Sequence, residues 1–371
     1  MRILMLLSTS SVTGPAELCL DDAKGLKKAG HTVVFGLDTK RAGNYAQAIK
    51  AVGYEVMEEL TLCRKPTPME FARDVARLRK RLGNVDLVHC RFSHDHTVAL
   101  AAMQRLKARP ALVRTAETAN SMRSGLLRGV AFRACDAVIV SCQRYQQHIR
   151  GTFKLPAGKV HVVPGRVDVR RWNPHEAADM RKAWGVAPNE VVFGIVARIK
   201  PDRLHDVVLR SFARVALEMP KAKLAIIGRG EHERAVREMA TGLGLEGRVI
   251  FAGYPTGEEL AVSYSALDAK IWLAEGNDGT CRAVLEAMAC GVPIVAGDSG
   301  AMAELVRDGV DGYVVKATDE AVAEALRKLT DPKVRKALGR SALERAAEFT
   351  PKARAAKLAE VYSSALKVSG R

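Results

Sequence analysis

The sequence predicts an α/β protein of two domains, each built on a parallel sheet with helices on both faces. Three observations carry this. At 371 residues and 40.2 kDa the chain exceeds what one hydrophobic core usually serves. Short apolar runs of strand length alternate with helix-length segments along the chain, the pattern of repeated βαβ units. The alternation pauses at the junction Pro164-Gly165-Arg166-Val167-Asp168-Val169-Arg170-Arg171-Trp172, which reads as a linker, and restarts with the run Val191–Val196.

Taken in order, residues 3–7 read as a buried strand and 8–15 as a polar, small-residue loop. A helix over 16–29 stops at Gly30, and Thr32–Leu37 is the next strand. Gly14-Pro15 lies in that first loop, at the carboxyl end of a strand, where ligands bind in open α/β sheets. A lone glycine there serves equally as a turn. Further elements follow as a helix over Tyr45–Ala51, a short strand at 55–57, a strongly basic helix over 68–82 and a strand at 86–90. A helix over 96–107 leads to the strands Ala111–Thr115, 137–141 and 160–163.

The second domain opens with Val191–Val196, the loop 197–203 and a helix over 204–217. Strand 223–227 leads into Gly228-Arg229-Gly230-Glu231 and a charged helix ending near Gly242. Strand 249–252, helix 258–265 and strand 269–273 come next. After the stretch 278–296 come Asp298-Ser299-Gly300 and a helix containing Glu304, and Val314 and Val315 end the sheet. Segments 319–329, 332–338 and 351–366 read as helices. The expected division is 1–168 and 169–350, with 351–371 a terminal helix packing back toward the first domain.

Composition narrows the class. Hydrophobic residues at 48% and charged residues at 27% supply a core and exclude a disordered chain. The formal net charge of +17 reads equally as solvated surface or as attraction to an anionic partner: nucleic acid, an anionic membrane surface or a phosphate-bearing small molecule. No homeodomain, zinc-finger or RNA-binding aromatic signature accompanies the charge, so no specific nucleic-acid partner is expected. Seven cysteines, odd in number and without paired metal-ligand spacing, read as reduced and mostly buried. The opening apolar run is too short for a secretion signal, and no stretch reaches transmembrane length. A cytoplasmic protein, peripheral on the inner face of the cytoplasmic membrane, is the expectation.

The most informative stretch runs from Asp278 to Ala296. It reads as a small-residue turn, a helix starting near Thr280, a stop at Gly291 and a strand with Pro293 at its entrance. Asp278 stands in the turn, while Glu286 stands inside an otherwise small and apolar helix. A buried, unpaired carboxylate there would be costly, so Glu286 has a salt-bridge partner or a ligand. Arg282, four residues earlier, offers an ordinary helical ion pair, and both explanations stay open. Arg198 and Arg203, in the loop after a strand, suit a diphosphate because each guanidinium forks across phosphate oxygens, solvated loop arginines being the other reading. In the first half, His94 and His96 alternate as on an extended segment. No third ligand stands at an established spacing, and no metal is expected. His89 and Glu117, just after strands, are expected to line a cleft between the domains.

These linked signals resemble the family-four retaining glycosyltransferases, two-domain enzymes of the GT-B fold that use nucleotide sugars. The resemblance covers essentially the whole chain and is strongest over 191–315. It rests on Arg198, Ile227-Gly228-Arg229-Gly230-Glu231, the acidic pair Asp278 and Glu286 seven residues apart in between, Ala287-Met288-Ala289-Cys290-Gly291-Val292-Pro293, Asp298-Ser299-Gly300 and Glu304, in the family's order. It implies two Rossmann-like α/β/α domains facing a deep interdomain cleft, the first binding the acceptor and the second the donor.

Carried over, Glu286 would bind the donor ribose hydroxyls, and Asp278, normally glutamate in the family, would lie beside the transferred sugar. Arg198 would bind the diphosphate with Arg203, which stands at a usual lysine position. Gly228, Arg229, Gly279 and Thr280 would line the donor site, with backbone amides near Thr280 facing the phosphates. Gly14 matches part of a first-domain glycine loop whose usual second glycine is Pro15, so a backbone donor is missing there. Glu117 falls near the place of a cleft histidine. The implied chemistry is metal-independent transfer from a UDP-, GDP- or ADP-linked sugar to an acceptor hydroxyl with retention, and no cofactor. The acceptor would be a sugar or a phosphorylated or lipid-linked molecule of cell-envelope polysaccharide, lipopolysaccharide or glycolipid synthesis. A nucleotide-sugar epimerase of the same fold, or a catalytically weak nucleotide-sugar-binding protein, is the alternative.

Overall fold

The structure is a computed structural model that describes residues 1–63, 65–116, 119–275 and 278–370, with side chains described except at 119–120 and 278–281. The chain forms two compact units, Met1–Pro164 with Pro351–Arg371, and Gly165–Thr350.

The first unit contains β1 (Arg2–Leu7), α1 (Gly14–Lys28), β2 (Thr32–Leu37), α2 (Tyr45–Ala51), β3 (Glu55–Val56), α3 (Pro68–Arg81) and β4 (Leu87–Cys90). It continues with α4 (Ser93–Met103), β5 (Ala111–Thr115), α5 (Leu126–Ala134), β6 (Ala137–Val140), α6 (Gln143–Phe153) and β7 (Val160–Val162). The seven strands pair in the order β3-β2-β1-β4-β5-β6-β7, and every pairing is parallel. Alternate residues of β1 feed two cores, as the two-residue period of a strand requires: Ile3, Met5 and Leu7 pack with α1, and Leu4 and Leu6 with α3 and α4.

Several local outcomes have physical causes. Helix α1 begins at Gly14 rather than after Pro15, because proline suits the first helical turn, where its missing N–H needs no partner. Helix α4 starts at Ser93, so His94 and His96 lie on a helix, not on an extended segment. Asp95 fixes that start by accepting the Phe92 backbone N–H at 2.8 Å. Helices α5 and α6 escape the sequence reading. Neither has a strong start signal, and α6 is capped by the Cys142 sulfur, which accepts the Tyr145 N–H at 3.4 Å.

The second unit contains α7 (Ala178–Ala183), β8 (Val191–Val196), α8 (His205–Glu218), β9 (Ala222–Ile227), α9 (Glu233–Gly242), β10 (Val249–Phe251) and α10 (Gly257–Ser265). It continues with β11 (Ala269–Trp272), α11 (Asp278–Ala289), β12 (Ile294–Gly297), α12 (Met302–Leu305), β13 (Gly312–Val315), α13 (Asp319–Lys328) and α14 (Pro332–Ala346). Its six strands are also parallel, in the order β10-β9-β8-β11-β12-β13. Phe193, Ile195, Ile271 and Val295 anchor the core on one face against α8 and α13.

Helix α15 (Pro351–Ser369) returns to the first unit, where Leu358, Val361, Tyr362 and Ala365 join the core formed by β1 and α1. A buried ion pair fixes it: Arg354 donates from Nε and Nη2 to the two Asp22 carboxylate oxygens at 2.7 and 3.1 Å. Arg354 also donates to the carbonyls of Val163 and Pro164, the residues at which the chain leaves this unit. His89 is a satisfied core histidine rather than a cleft residue. It is buried, with Nδ1 2.8 Å from the Tyr362 hydroxyl and Nε2 2.7 Å from Thr115 Oγ1.

Candidate functional site

In both sheets the strand order reverses once, between β1 and β4 and between β8 and β11. Such a switch point opens a crevice beyond the carboxyl ends of the two strands, because their following helices cover opposite faces. In the second unit the loops flanking this point carry the residues singled out in the sequence. Arg198 and Arg203 follow β8, Gly228 and Arg229 follow β9, and the helix bearing Glu286 follows β11.

The β8 loop is held by close backbone contact. Beyond the strands, Ala197 N–H donates to Ile227 O at 3.0 Å and Ile199 N–H to Arg229 O at 3.2 Å, extending the ladder past the sheet. A side chain at Gly228 would put Cβ 1.9 Å from the Ala197 carbonyl oxygen, and one at Gly230 would put it 2.1 Å from that of Ile199. The glycines therefore permit the approach that fixes the backbone around Arg198. Arg198 itself is exposed and contributes to holding the nearby Glu231 carboxylate below its usual range, after that residue's own backbone hydrogen bond and its bond to Lys200. Arg229 lies over the Tyr254 ring at 4.6 Å, and Arg203 over the Trp272 ring at 5.6 Å.

Glu286 is 4% exposed. Tyr264, from α10, donates its hydroxyl to Oε2 at 3.1 Å, and Arg282 Nε lies 3.2 Å from Oε1. The helical ion pair allowed by the sequence therefore forms, and the carboxylate has a second partner besides. Burial raises the Glu286 carboxyl above its usual range, and Arg282, the Tyr264 hydrogen bond, Lys270 and Arg171 act against that rise.

Lys270 is a residue the sequence reading passed over within a buried strand. It sits in β11, fully buried, with its Nζ 4.9 Å from the Trp272 ring centroid and 5.9 Å from that of Tyr264. Among the described residues, neither its ammonium nor the indole nitrogen of Trp272 has a hydrogen-bond partner. Burial pulls the Lys270 ammonium down to about 7, with Glu286 opposing. The available signal was a charged residue at an alternate position of a strand whose neighbours, Ala269 and Ile271, are core.

Asp278, Gly279 and Thr280 form the first turn of α11. Helix α11 thus starts two residues earlier than expected. Glu117 lies outside the described residues. Gly14 belongs to the other unit, as the first residue of α1, at the carboxyl end of β1 beside that sheet's own switch point. The described residues hold no group of three or more His, Cys, Asp or Glu side chains that could bind a metal.

Two doubly wound units in one chain are the architecture of the GT-B fold, and solved structures agree with that fold. HepE from Anabaena, crystallised with UDP, superposes with a TM-score of 0.83 at 21% identity, covering 98% of this chain and 100% of that one. A glycosyltransferase from Rickettsia africae gives 0.82 at 17%, covering 99% and 98%. Among proteins of known activity, the GDP-mannose-dependent alpha-(1-6)-phosphatidylinositol monomannoside mannosyltransferase of Mycolicibacterium smegmatis is 28% identical over 355 residues, 91% of each chain. The family model described as Glycosyltransferase Family 4 matches residues 12–171, and the one described as Glycosyl transferases group 1 matches 176–345. The chain belongs to this family of nucleotide-sugar-dependent glycosyltransferases.

Proposed function

We propose that the protein transfers a sugar, with retention at the anomeric carbon and without a metal ion, from a nucleoside-diphosphate sugar to a hydroxyl of a phosphorylated or lipid-linked acceptor in cell-envelope synthesis. The observation that supports the donor half is topological: the loop bearing Arg198 and Arg203 and the helix bearing Glu286 follow β8 and β11, the two strands that flank the switch point. Arg198 and Arg203 neutralise the diphosphate as it leaves, joined by the first N–H groups of α11. Arg203 is steadied on Trp272, so its guanidinium is presented at little further cost in side-chain freedom. Glu286, oriented by Tyr264 and Arg282, accepts hydrogen bonds from the ribose hydroxyls. Gly228, Arg229, Gly279 and Thr280 are assigned to the same donor site, and Asp278 to the transferred sugar.

In the first unit, Gly14 is assigned to donor binding and Glu117 to catalysis. Retention follows from a same-face reaction in which the leaving phosphate helps to deprotonate the acceptor, so no carboxylate serves as a covalent nucleophile. The acceptor assignment is supported by charge. The first unit holds 31 lysines and arginines against 14 aspartates and glutamates, whereas the second holds 27 of each, so the entire excess of +17 falls on the first. It is supported too by the phosphatidylinositol compound in the name of the mycobacterial relative. A panel of UDP-, GDP- and ADP-sugars, incubated with envelope lipid extract and followed by mass spectrometry and anomeric NMR, tests the reading. An α-linked product from an α-linked donor is expected; an inverted product or free sugar alone would contradict it.

A further inference from the structure

Helix α5 leaves part of its surface apolar and uncovered. Leu126, Leu127 and Val130 are 82%, 85% and 54% exposed. Their i, i+1 and i+4 spacing puts them on one side of the helix, while Gly129 and Phe132 face inward. Single exposed apolar residues are ordinary, but three on one short helix mark a contact surface. Arginines border them: Arg123 is exposed, and the Arg128 guanidinium donates to the Arg123 carbonyl at 2.8 Å.

Topology gives the patch a direction. Helix α5 follows β5, so its first turn stands at the carboxyl edge of the first sheet. Because every strand there is parallel, the loop after β1 and the first turn of α3 stand at the same edge, and they bring exposed Val12 and Met69. The acidic residues that follow β2 and open α3 on this edge are neutralised: Asp38 pairs with Arg41 and Glu70 with Lys40. Paired charges and apolar tips therefore share this edge, with Arg123 and Arg128 beside the α5 patch.

We propose that this face docks on an anionic lipid bilayer, with Leu126, Leu127 and Val130 inserted among the headgroups and Arg123 and Arg128 on the lipid phosphates. Two signals, apolar insertion and basic attraction, make such contact stable where either alone is weak. A second copy is a poor occupant, since each first unit carries +17 and would repel another. Nucleic acid fits poorly as well, because 117–131 contains no aromatic residue on which bases would stack. No helix among the described residues is long and apolar enough to cross a membrane, so the contact is peripheral. The inference names the partner surface for the lipid-linked acceptor of the proposed function and rests on that reading for its purpose, but docking is measured without donor or acceptor.

The test is co-sedimentation of the full-length protein with vesicles of phosphatidylglycerol and phosphatidylcholine, beside pure phosphatidylcholine. Binding to the anionic vesicles is expected, weakened by salt and reduced roughly tenfold or more in Leu126→Glu/Leu127→Glu, with a smaller loss in Arg123→Gln/Arg128→Gln. Leu217→Glu, equally exposed but in the second unit, should bind like the parent. Circular dichroism checks that each variant is folded. Equal binding by the double-glutamate variant, no preference for the anionic vesicles, displacement of the vesicles by duplex DNA, or a dimer that the double-glutamate change dissolves would each overturn the proposal. Donor binding measured by calorimetry separates these outcomes from failure of the transferase reading.

Discussion

The Tyr264 hydroxyl lies 3.1 Å from the Glu286 carboxylate and leaves the other carboxylate oxygen to Arg282. A buried acid so held is fixed in orientation before any ligand arrives. Two uses are separable by mutation. If Glu286 holds the donor ribose, Glu286→Ala weakens nucleotide-sugar binding roughly tenfold to hundredfold, the range for hydrogen bonds to a charged group. Tyr264→Phe should cost a few-fold by the same measure, through loss of that orientation. If Glu286 served only the ion pair, Arg282→Ala and Glu286→Ala would lower stability alike and leave titration calorimetry with the donor unchanged.

Arg198 is exposed, in a loop outside the core. Arg198→Ala should therefore keep its unfolding midpoint while kcat/KM falls by about a hundredfold or more, mostly in kcat, because diphosphate charge grows toward the transition state. Arg198→Lys restores the charge without the fork and should recover only part of the loss. Steady-state kinetics at saturating acceptor reads both.

How far the sequence carried this account differs between elements. Strands such as Val191–Val196 and Ala111–Thr115 were legible to the residue, because a parallel strand covered on both faces reads as an uninterrupted apolar run. Helices α5 and α6 were not. The first has an exposed apolar face that breaks the amphipathic rule, and the second takes its cap from a cysteine, which is no ordinary start signal. At the site, Arg198 and Glu286 were legible from loop position and from the oddity of a charge in a small-residue helix. Tyr264 and Lys270 were not, since they belong to α10 and β11 and come near Glu286 only through tertiary packing.

Lys270 supplies a pH signature. Its ammonium is pulled down to about 7 in the folded chain from an ordinary 10.5, chiefly by burial, with Tyr264 of α10, Glu286 of α11 and Trp272 of its own strand facing it. Between those two values the unfolded chain holds a proton that the folded chain lacks, so this lysine makes stability rise with pH, by up to about 1.4 kcal/mol per unit. Urea denaturation of the parent and Lys270→Met from pH 7 to 10 should show the parent gaining on the variant. Parallel profiles would mean that the lysine stays charged when folded.

The Asp22–Arg354 pair joins α1 to α15 inside the first unit, both side chains being buried. Removing Arg354 leaves the buried Asp22 carboxylate to the longer Arg91 contact at 3.8 Å, so Arg354→Ala should cost about 3 kcal/mol in denaturant unfolding. Truncating both residues to alanine should be milder than the sum of the single changes. Additive losses would place the pair's value elsewhere than in their mutual contact.

The most direct measurement is calorimetric titration of the full-length protein with UDP-, GDP- and ADP-linked sugars, repeated on Arg198→Ala and Glu286→Ala. The account predicts that at least one donor binds the parent and that both variants, folded by circular dichroism, lose tenfold or more in affinity for it. Binding of none of these donors, or equal binding by the parent and both variants, would contradict a donor site built on the switch point between β8 and β11.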